Sequence, residues 1–198
     1  LAGLYGKTVG IVGMGEVGVM AARTAQGFSA RVLYCNRTRL SPEKERALGV
    51  DYRPLPALLA DSDFVSLHAS NLPDNQGMID AAFFARMKPG AFFVNTSRGR
   101  MVDEPALHDA LTRGLIAGAG LDVHYEEPRP APNLFAGMAN VIQTPHLAGG
   151  ARAGIIAEVA DVLGNCRAAL TGGAIKYRVA GRPRLPPRRG PRARRLRR

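Results

Sequence analysis

From Lys7 to about residue 145 the chain alternates short apolar runs with longer segments whose apolar residues recur every three or four positions. The runs KTVGIVGM, RVLYCN, DFVSLHA, GAFFVNT, GAGLDV and NVIQTP are rich in β-branched and aromatic residues and poor in charge. That pattern predicts strands of a sheet covered on both faces. Between them GVMAARTAQGF, SPEKERALG, DAAFFARMK and DEPALHDALTRG carry helical spacing. Ser41-Pro42-Glu43 and Asp103-Glu104-Pro105 supply a capping residue, an early proline and an early acid, and Gly49 and Gly114 end the helices they open. Strand and helix repeated with short links predict a doubly wound parallel α/β sheet of the Rossmann type.

The rhythm breaks at EEPRPAPNLFAGM, where three closely spaced prolines stiffen a loop. Residues 151–171 then read as one longer helix ending at TGG. From Gly181 to Arg198 only Gly, Arg, Pro, Leu and Ala occur, a composition with nothing to pack. The expected organisation is a dinucleotide-binding domain over 1–145, a helix crossing toward a substrate domain over 146–175, and a disordered basic tail over 176–198.

Charge changes this picture less than its total implies. The 198 residues carry a formal charge of +11, which by itself points to a nucleic acid or a membrane surface. Residues 176–198 hold all eleven of those charges and no acid, so the body is neutral, with sixteen basic and sixteen acidic side chains. Nucleic acid is therefore expected as a partner only through the tail. No run approaches the roughly 18 apolar residues of a membrane span, so no membrane partner is expected. Two cysteines, Cys35 and Cys166, make no disulfide framework and fit a reducing cytoplasm. No Cys, His and carboxylate spacing fits a metal site.

The stretch TVGIVGMGEVGVMAARTA places Gly13, Gly15 and Gly18 between a strand and a helix. The first permits the tight turn, the second lets backbone approach a pyrophosphate, and the third lets helix and strand pack closely. Where the next strand ends, a cofactor with free ribose hydroxyls calls for an acid. The chain has Asn36-Arg37-Thr38 there instead, which favours NADP(H), with NAD(H) as the alternative if Arg37 is a solvated cation and Asn36 bonds a ribose. Other polar residues fall at the ends of later strands: Arg98, Asp122, Glu127 and His146.

The motifs GMGEVG, NTSRG, GAGLDVHYEEP and TPHLAGG, in this order and at these intervals, resemble the D-isomer-specific 2-hydroxyacid dehydrogenases over nearly all of residues 3–173. NRTRL resembles the glyoxylate and hydroxypyruvate reductase branch. The resemblance implies catalytic residues Arg98, Glu127 and His146. It implies cofactor contacts from Gly13, Gly15, Glu16, Val17, Gly18, Asn36, Arg37, Thr38, Thr96, Ser97, Arg98, Asp122, His146, Ala148 and Gly149. In that chemistry His146 exchanges a proton with a 2-keto acid, Glu127 orients the imidazole, and Arg98 holds the substrate. A homodimer is expected of a full-length form.

Each residue also has a simpler reading: Arg98 pairing with Asp103 or Glu104, Glu127 as a surface acid, His146 as a loop fixture. His68, His108 and His124 are expected to be structural, although His124 stands where the family usually has an aromatic residue. The family also has roughly a hundred residues before the glycine loop and a folded ending. A truncated chain with most of the substrate domain missing, and a frame-shifted or foreign C-terminus, is therefore expected. The rival function is a non-catalytic dinucleotide sensor of the same fold, with the basic tail as its anchor.

Overall fold

Parallel strands cannot be joined by tight turns, so each connection here climbs back along the sheet, most of them through a helix. The computed structural model describes residues 3–129, 133–150 and 152–177. Strands β1 (Thr8–Val12), β2 (Arg31–Cys35), β3 (Asp51–Tyr52), β4 (Phe64–Leu67), β5 (Phe92–Asn95), β6 (Gly118–Leu121) and β7 (Val141–Gln143) form one sheet. Their order is β3-β2-β1-β4-β5-β6-β7 and every neighbouring pair is parallel. The helices are α1 (Glu16–Gly27), α2 (Pro42–Leu48), α3 (Leu55–Asp61), α4 (Ala81–Ala85), α5 (Glu104–Thr112) and α6 (Arg152–Thr171). The doubly wound α/β sheet implied by the hydrophobic pattern is the fold that forms.

Side-chain alternation along the strands divides the interior in two. Val9, Ile11, Val32 and Tyr34 face one way and pack with Ala22 and Ala25 of α1. Val12, Leu33, Val65, Leu67, Phe93 and Leu121 face the other way, against Leu58 of α3, Phe83 and Phe84 of α4, and Leu107 and Leu111 of α5. Both faces are thus covered at β1 and β2. At β4–β7 the second face is less buried among the described residues. Phe64, Phe92 and Val94 are only half-buried and Ile142 is 74% exposed. Helices α3–α5 lie on the opposite face, and Phe64 and Phe92 stack on each other with centroids 5.3 Å apart.

Local chemistry sets the helix ends. Ser41 accepts a hydrogen bond from the Lys44 N–H, Asp80 from Phe83, and Asp103 from Ala106, each satisfying a first-turn donor. Gly49 ends α2 in the left-handed conformation. Two elements had no sequence signal: β3 is two residues long, and α3 is a seven-residue helix whose helical spacing is hidden by Pro54 at its N-cap and Pro56 in its first turn.

Contacts divide the chain into Leu1–Gly149, which holds the sheet and α1–α5, and Gly150–Arg198, which holds α6. In the second unit the Lys176 N–H donates to Asn165 Oδ1 at 2.8 Å and the Lys176 ammonium pairs with Asp161 at 3.0 Å. Lys176, expected at the start of a disordered tail, is therefore fastened to α6. Residues 178–198 of that expected tail lie outside the described residues. No described helix is long and apolar enough to cross a membrane.

Strand β1 runs through the middle of the sheet and depends on the absence of a side chain at Gly10. A Cβ there would meet Ser62 Oγ and come within 2.6 Å of Leu58 Cδ2, both fixed by α3 and its end. Gly10→Val is expected to destabilise the chain by about 1–3 kcal/mol through overpacking, read as a lowered midpoint in urea with an unchanged m-value.

Candidate functional site

Since all strands run the same way, the segments that follow β1, β2, β4, β5, β6 and β7 open along one edge. After β1 the chain turns at Gly13, whose φ is 103°. A Cβ on it would lie 2.6 Å from the backbone of His68 and Ala69, at the end of β4. Gly18 is buried under the turn, where a Cβ would strike the Gly13 carbonyl. Gly15 is different, since a Cβ there would meet nothing within 4 Å. Its face is open to an approaching group. Gly15 is also the N-cap of α1 and offers no side-chain acceptor, so the first-turn N–H groups around Glu16 and Val17 are left to an anion.

The glycine loop forms one wall of a cleft of about 570 Å³; Asn36, Arg37 and Thr38 after β2 and His68, Ala69 and Ser70 after β4 line the rest. Asn36 Oδ1 accepts the Met14 N–H at 2.7 Å. The two arginines here have different fates. Arg39 binds Glu45 through two nitrogens at 2.8 and 2.9 Å, and the Tyr34 hydroxyl donates to the same carboxylate at 2.7 Å. Those contacts, Arg39 foremost, hold the Glu45 carboxyl down at about 2. Arg37 has no ion pair among the described residues and faces the cleft with its charge available. Glu45 is therefore paired with Arg39, not Arg37.

Buried Asn95 shapes the end of β5. Its Oδ1 accepts the Ser97 N–H at 3.0 Å and its Nδ2 donates to the Arg98 carbonyl at 3.1 Å, while Ser97 Oγ donates to the Leu67 carbonyl at 2.6 Å. Thr96, Ser97 and Arg98 line a cleft of about 240 Å³ together with Val17 and His68. Arg98 pairs with neither Asp103, which caps α5, nor Glu104, which takes the Tyr125 N–H and Arg129. Its guanidinium donates to the Ser97 carbonyl and is otherwise exposed. His68, expected to be structural, stands on the wall shared by both clefts. Burial pushes its imidazole below the ordinary value, and Ser66 Oγ lies 2.9 Å from Nε2.

The ends of β6 and β7 are tied together by Asp122, which is 4% exposed. Its Oδ1 accepts from Thr144 Oγ1 at 2.5 Å and the Leu147 N–H at 2.8 Å; its Oδ2 accepts the Ala148 N–H at 2.9 Å. Its carbonyl takes the His146 N–H at 2.8 Å. Burial alone would raise the Asp122 carboxyl, but these donors outweigh it and hold it low. The loop so gripped carries His146 in the left-handed region, with φ of 56°. His146 Nδ1 lies 2.8 Å from Glu127 Oε2, and Glu127 Oε1 accepts the His124 N–H at 3.0 Å. The His124 N–H first and His146 second keep the Glu127 carboxyl below its usual range.

Glu127 and His146, expected as a pair, are thus brought together, on a cleft of about 560 Å³ that shares no lining residue with the cleft of Arg98. Asp122 was expected to touch the cofactor, yet both its oxygens are engaged by its own neighbours. Gly149 follows the clamped loop and is exposed. His124 is buried, its Nε2 3.0 Å from the Thr144 carbonyl and its Nδ1 against the Arg129 guanidinium, so its ring is structural. Sequence reasoning missed Asn95; an asparagine closing an apolar strand was the available signal. No cluster of three or more His, Cys, Asp or Glu suited to a metal exists among the described residues.

Asp122→Asn replaces one acceptor oxygen by a donor, which at the Oδ2 position faces the Ala148 N–H, and removes the charge that all three donors serve. A loss of about 1–3 kcal/mol is expected at neutral pH. Because the folded carboxyl is held low, Asp122 stabilises above its ordinary value, and that contribution is lost as the pH falls through the depressed one. The gap between wild-type and variant unfolding midpoints should therefore close on acidification; a gap independent of pH would contradict the clamp.

The profile described as D-isomer specific 2-hydroxyacid dehydrogenase, NAD binding domain, matches residues 1–148. A glyoxylate reductase of Korarchaeum cryptofilum is 48% identical over 145 residues, which are 73% of this chain and 43% of that protein. One from Pyrococcus furiosus is 49% identical over 144 residues, 73% of this chain and 42% of its own length. The chain thus spans less than half the length of these relatives. Among solved structures, D-lactate dehydrogenase with NAD+ from Lactobacillus jensenii aligns with a TM-score of 0.82 at 31% identity, covering 91% of this chain and 57% of that one. On the match over residues 1–148, carried on a parallel sheet with the glycine loop, Arg98 and the Glu127–His146 pair along one edge, the chain belongs to the D-isomer specific 2-hydroxyacid dehydrogenase family, within its NAD-binding domain.

Proposed function

We propose that this chain is the cofactor-binding part of an oxidoreductase that transfers a hydride between a nicotinamide cofactor and a small 2-keto acid or D-2-hydroxy acid. Glyoxylate is the favoured substrate, with hydroxypyruvate as its close analogue, and NADP(H) is favoured over NAD(H). The observation that carries the reading is the 2.8 Å contact of His146 with Glu127 on the same sheet edge as an open glycine loop. A module that only senses a dinucleotide has no use for an oriented imidazole. The relatives named as glyoxylate reductases support the substrate class.

The residues present fit the cofactor. Gly15 leaves open space against the backbone, and the uncapped start of α1 offers donors for a pyrophosphate. When bound, the nicotinamide supplies the hydride. With Nδ1 directed at Glu127, His146 presents Nε2 to the substrate oxygen, donating a proton in reduction and accepting one in oxidation. Glu127 fixes the tautomer and the orientation of the ring. Arg98, unpaired with any acid among the described residues, takes the substrate carboxylate and polarises its carbonyl. The substrate then lies between the cleft of Arg98 and that of His146. Free Cys35 and Cys166 fit a reducing cytoplasm.

Arg37 makes the cofactor preference measurable. One charge-assisted contact contributes ~1.5–3 kcal/mol, so NADPH should bind roughly tenfold to a hundredfold more tightly than NADH. Fluorescence titration of this chain reads both affinities, and Arg37→Ala should remove most of the difference; equal affinities in the wild type would defeat the NADP preference. In a full-length protein carrying these residues, His146→Gln should lower glyoxylate-dependent NADPH oxidation by about 10²–10⁴-fold while NADPH affinity stays unchanged. Near-normal turnover would take His146 out of the mechanism.

A further inference from the structure

The ring of His124 closes the loop that carries Glu127. It is buried with both nitrogens engaged: Nε2 lies 3.0 Å from the Thr144 carbonyl, and Nδ1 meets the guanidinium of Arg129 at the other end of the loop. A carbonyl can only accept and a guanidinium can only donate, so the ring satisfies both in one state alone, neutral with its hydrogen on Nε2. Arg129 is itself held, 3.6 Å from Glu104 and with its guanidinium 5.0 Å from the centre of the Phe135 ring. The His124 N–H meanwhile donates to Glu127 Oε1 at 3.0 Å, leaving Oε2 to His146 at 2.8 Å. On the other strand end Thr144 leads through Pro145 into His146, and its hydroxyl and N–H are committed to Asp122 and Leu121. We propose that His124 is a positioning residue for the Glu127–His146 pair. Its main chain sets Glu127, its ring ties the Glu127 loop to the strand end that carries His146, and Arg129 holds that ring in the tautomer the tie requires.

This rests on the reading of Glu127 and His146 as a proton-transfer pair and names what keeps the two in register. Their side chains are 36% and 45% exposed, so packing against them does not fix their geometry. A neutral imidazole set between a strand end and a held cation does. Phenylalanine at position 124 fills the same space and leaves the main-chain N–H to Glu127, but it offers no donor to Thr144 and no acceptor to Arg129. His124→Phe therefore separates filling from positioning. Glutamine is the conservative replacement, since its side-chain amide carries both a donor and an acceptor group.

The test uses the 198-residue chain without ligand and reads the histidine ring nitrogens by long-range ¹H–¹⁵N NMR, at a pH alkaline enough to keep the rings neutral. Protonated and unprotonated ring nitrogens have well-separated ¹⁵N shifts, so each histidine reports its own tautomer. In the wild type, His124 should carry its hydrogen on Nε2 and His146 on Nδ1, each as a single tautomer. His124→Phe should draw the two His146 nitrogen shifts together, with loss of roughly half their separation or more, as the imidazole leaves Glu127 and samples both tautomers. His124→Gln should restore most of the wild-type separation. His146 shifts that are the same in His124→Phe as in the wild type overturn the positioning role, and a His124→Gln chain that behaves like His124→Phe overturns the hydrogen-bonded tie. The wild-type measurement decides the tautomer without any substitution: a hydrogen on His124 Nδ1 overturns the assignment to Arg129. The readout needs neither cofactor nor keto acid, so a failure here is distinct from a failure of the hydride-transfer reading, which the turnover of His146→Gln decides.

Discussion

A carboxylate buried at the junction of two strands governs the end of the sheet that carries His146 and Glu127. Asp122 is shielded from water, and an isolated charge in that position would be untenable. It is stable only because Thr144, Leu147 and Ala148 fold over it and supply three donors. That requirement bends the segment after β7 back across the end of β6. It also fixes His146 in a backbone conformation that a non-glycine residue seldom adopts. Glu127 reaches the imidazole from the other side because its second oxygen is held by the His124 N–H. The imidazole is therefore positioned by a short chain of anchors, each itself anchored.

The cofactor half is organised by steric exclusion and by which charges are already paired. The end of β4 presses against Gly13, and the turn of the loop presses against Gly18, so only Gly15 faces open space. Arg39 and Glu45 cancel each other against the Tyr34 hydroxyl, leaving Arg37 on a cleft that no acid lines among the described residues. Buried Asn95 holds the turn before Arg98 through both ends of its amide. In each case a polar group that holds backbone in place lies next to one that is free to meet a ligand.

The sheet, its strands and most helices were legible because their signals are local. Apolar runs such as those around Ile11 and Phe93, and caps such as Ser41 and Asp103, act over a few residues. Short elements escaped, since β3 is too brief for alternation and the prolines around α3 mask its spacing. The candidate site residues could be named from motif order. What could not be read was how they hold one another: Asp122 to Ala148 spans 26 residues and Met14 to Asn36 spans 22. Such bonds leave no period in the sequence, so Asp122 read as a ligand contact with no sign that it also grips its own loop. The lower burial of one face of β4–β7 among the described residues escaped for a related reason: the half-buried Phe64 and Phe92 are as apolar as core residues, and their sequence does not say how far they are covered.

The strand order has a consequence for how the molecule assembles. β1 pairs on one side with β2, close in sequence, and on the other with β4, whose partner residues lie 55 positions away at Val9 and Phe64. The first pairing closes a short loop and can form early; the second must await a much longer closure and is intrinsically slower. The nucleotide cleft straddles that second seam, with the glycine loop on one bank and the end of β4 on the other. It cannot exist until both halves of the sheet have met. A bound nucleotide therefore acts as a late clasp on folding: it adds nothing to either half alone and slows the parting of the two once they have joined.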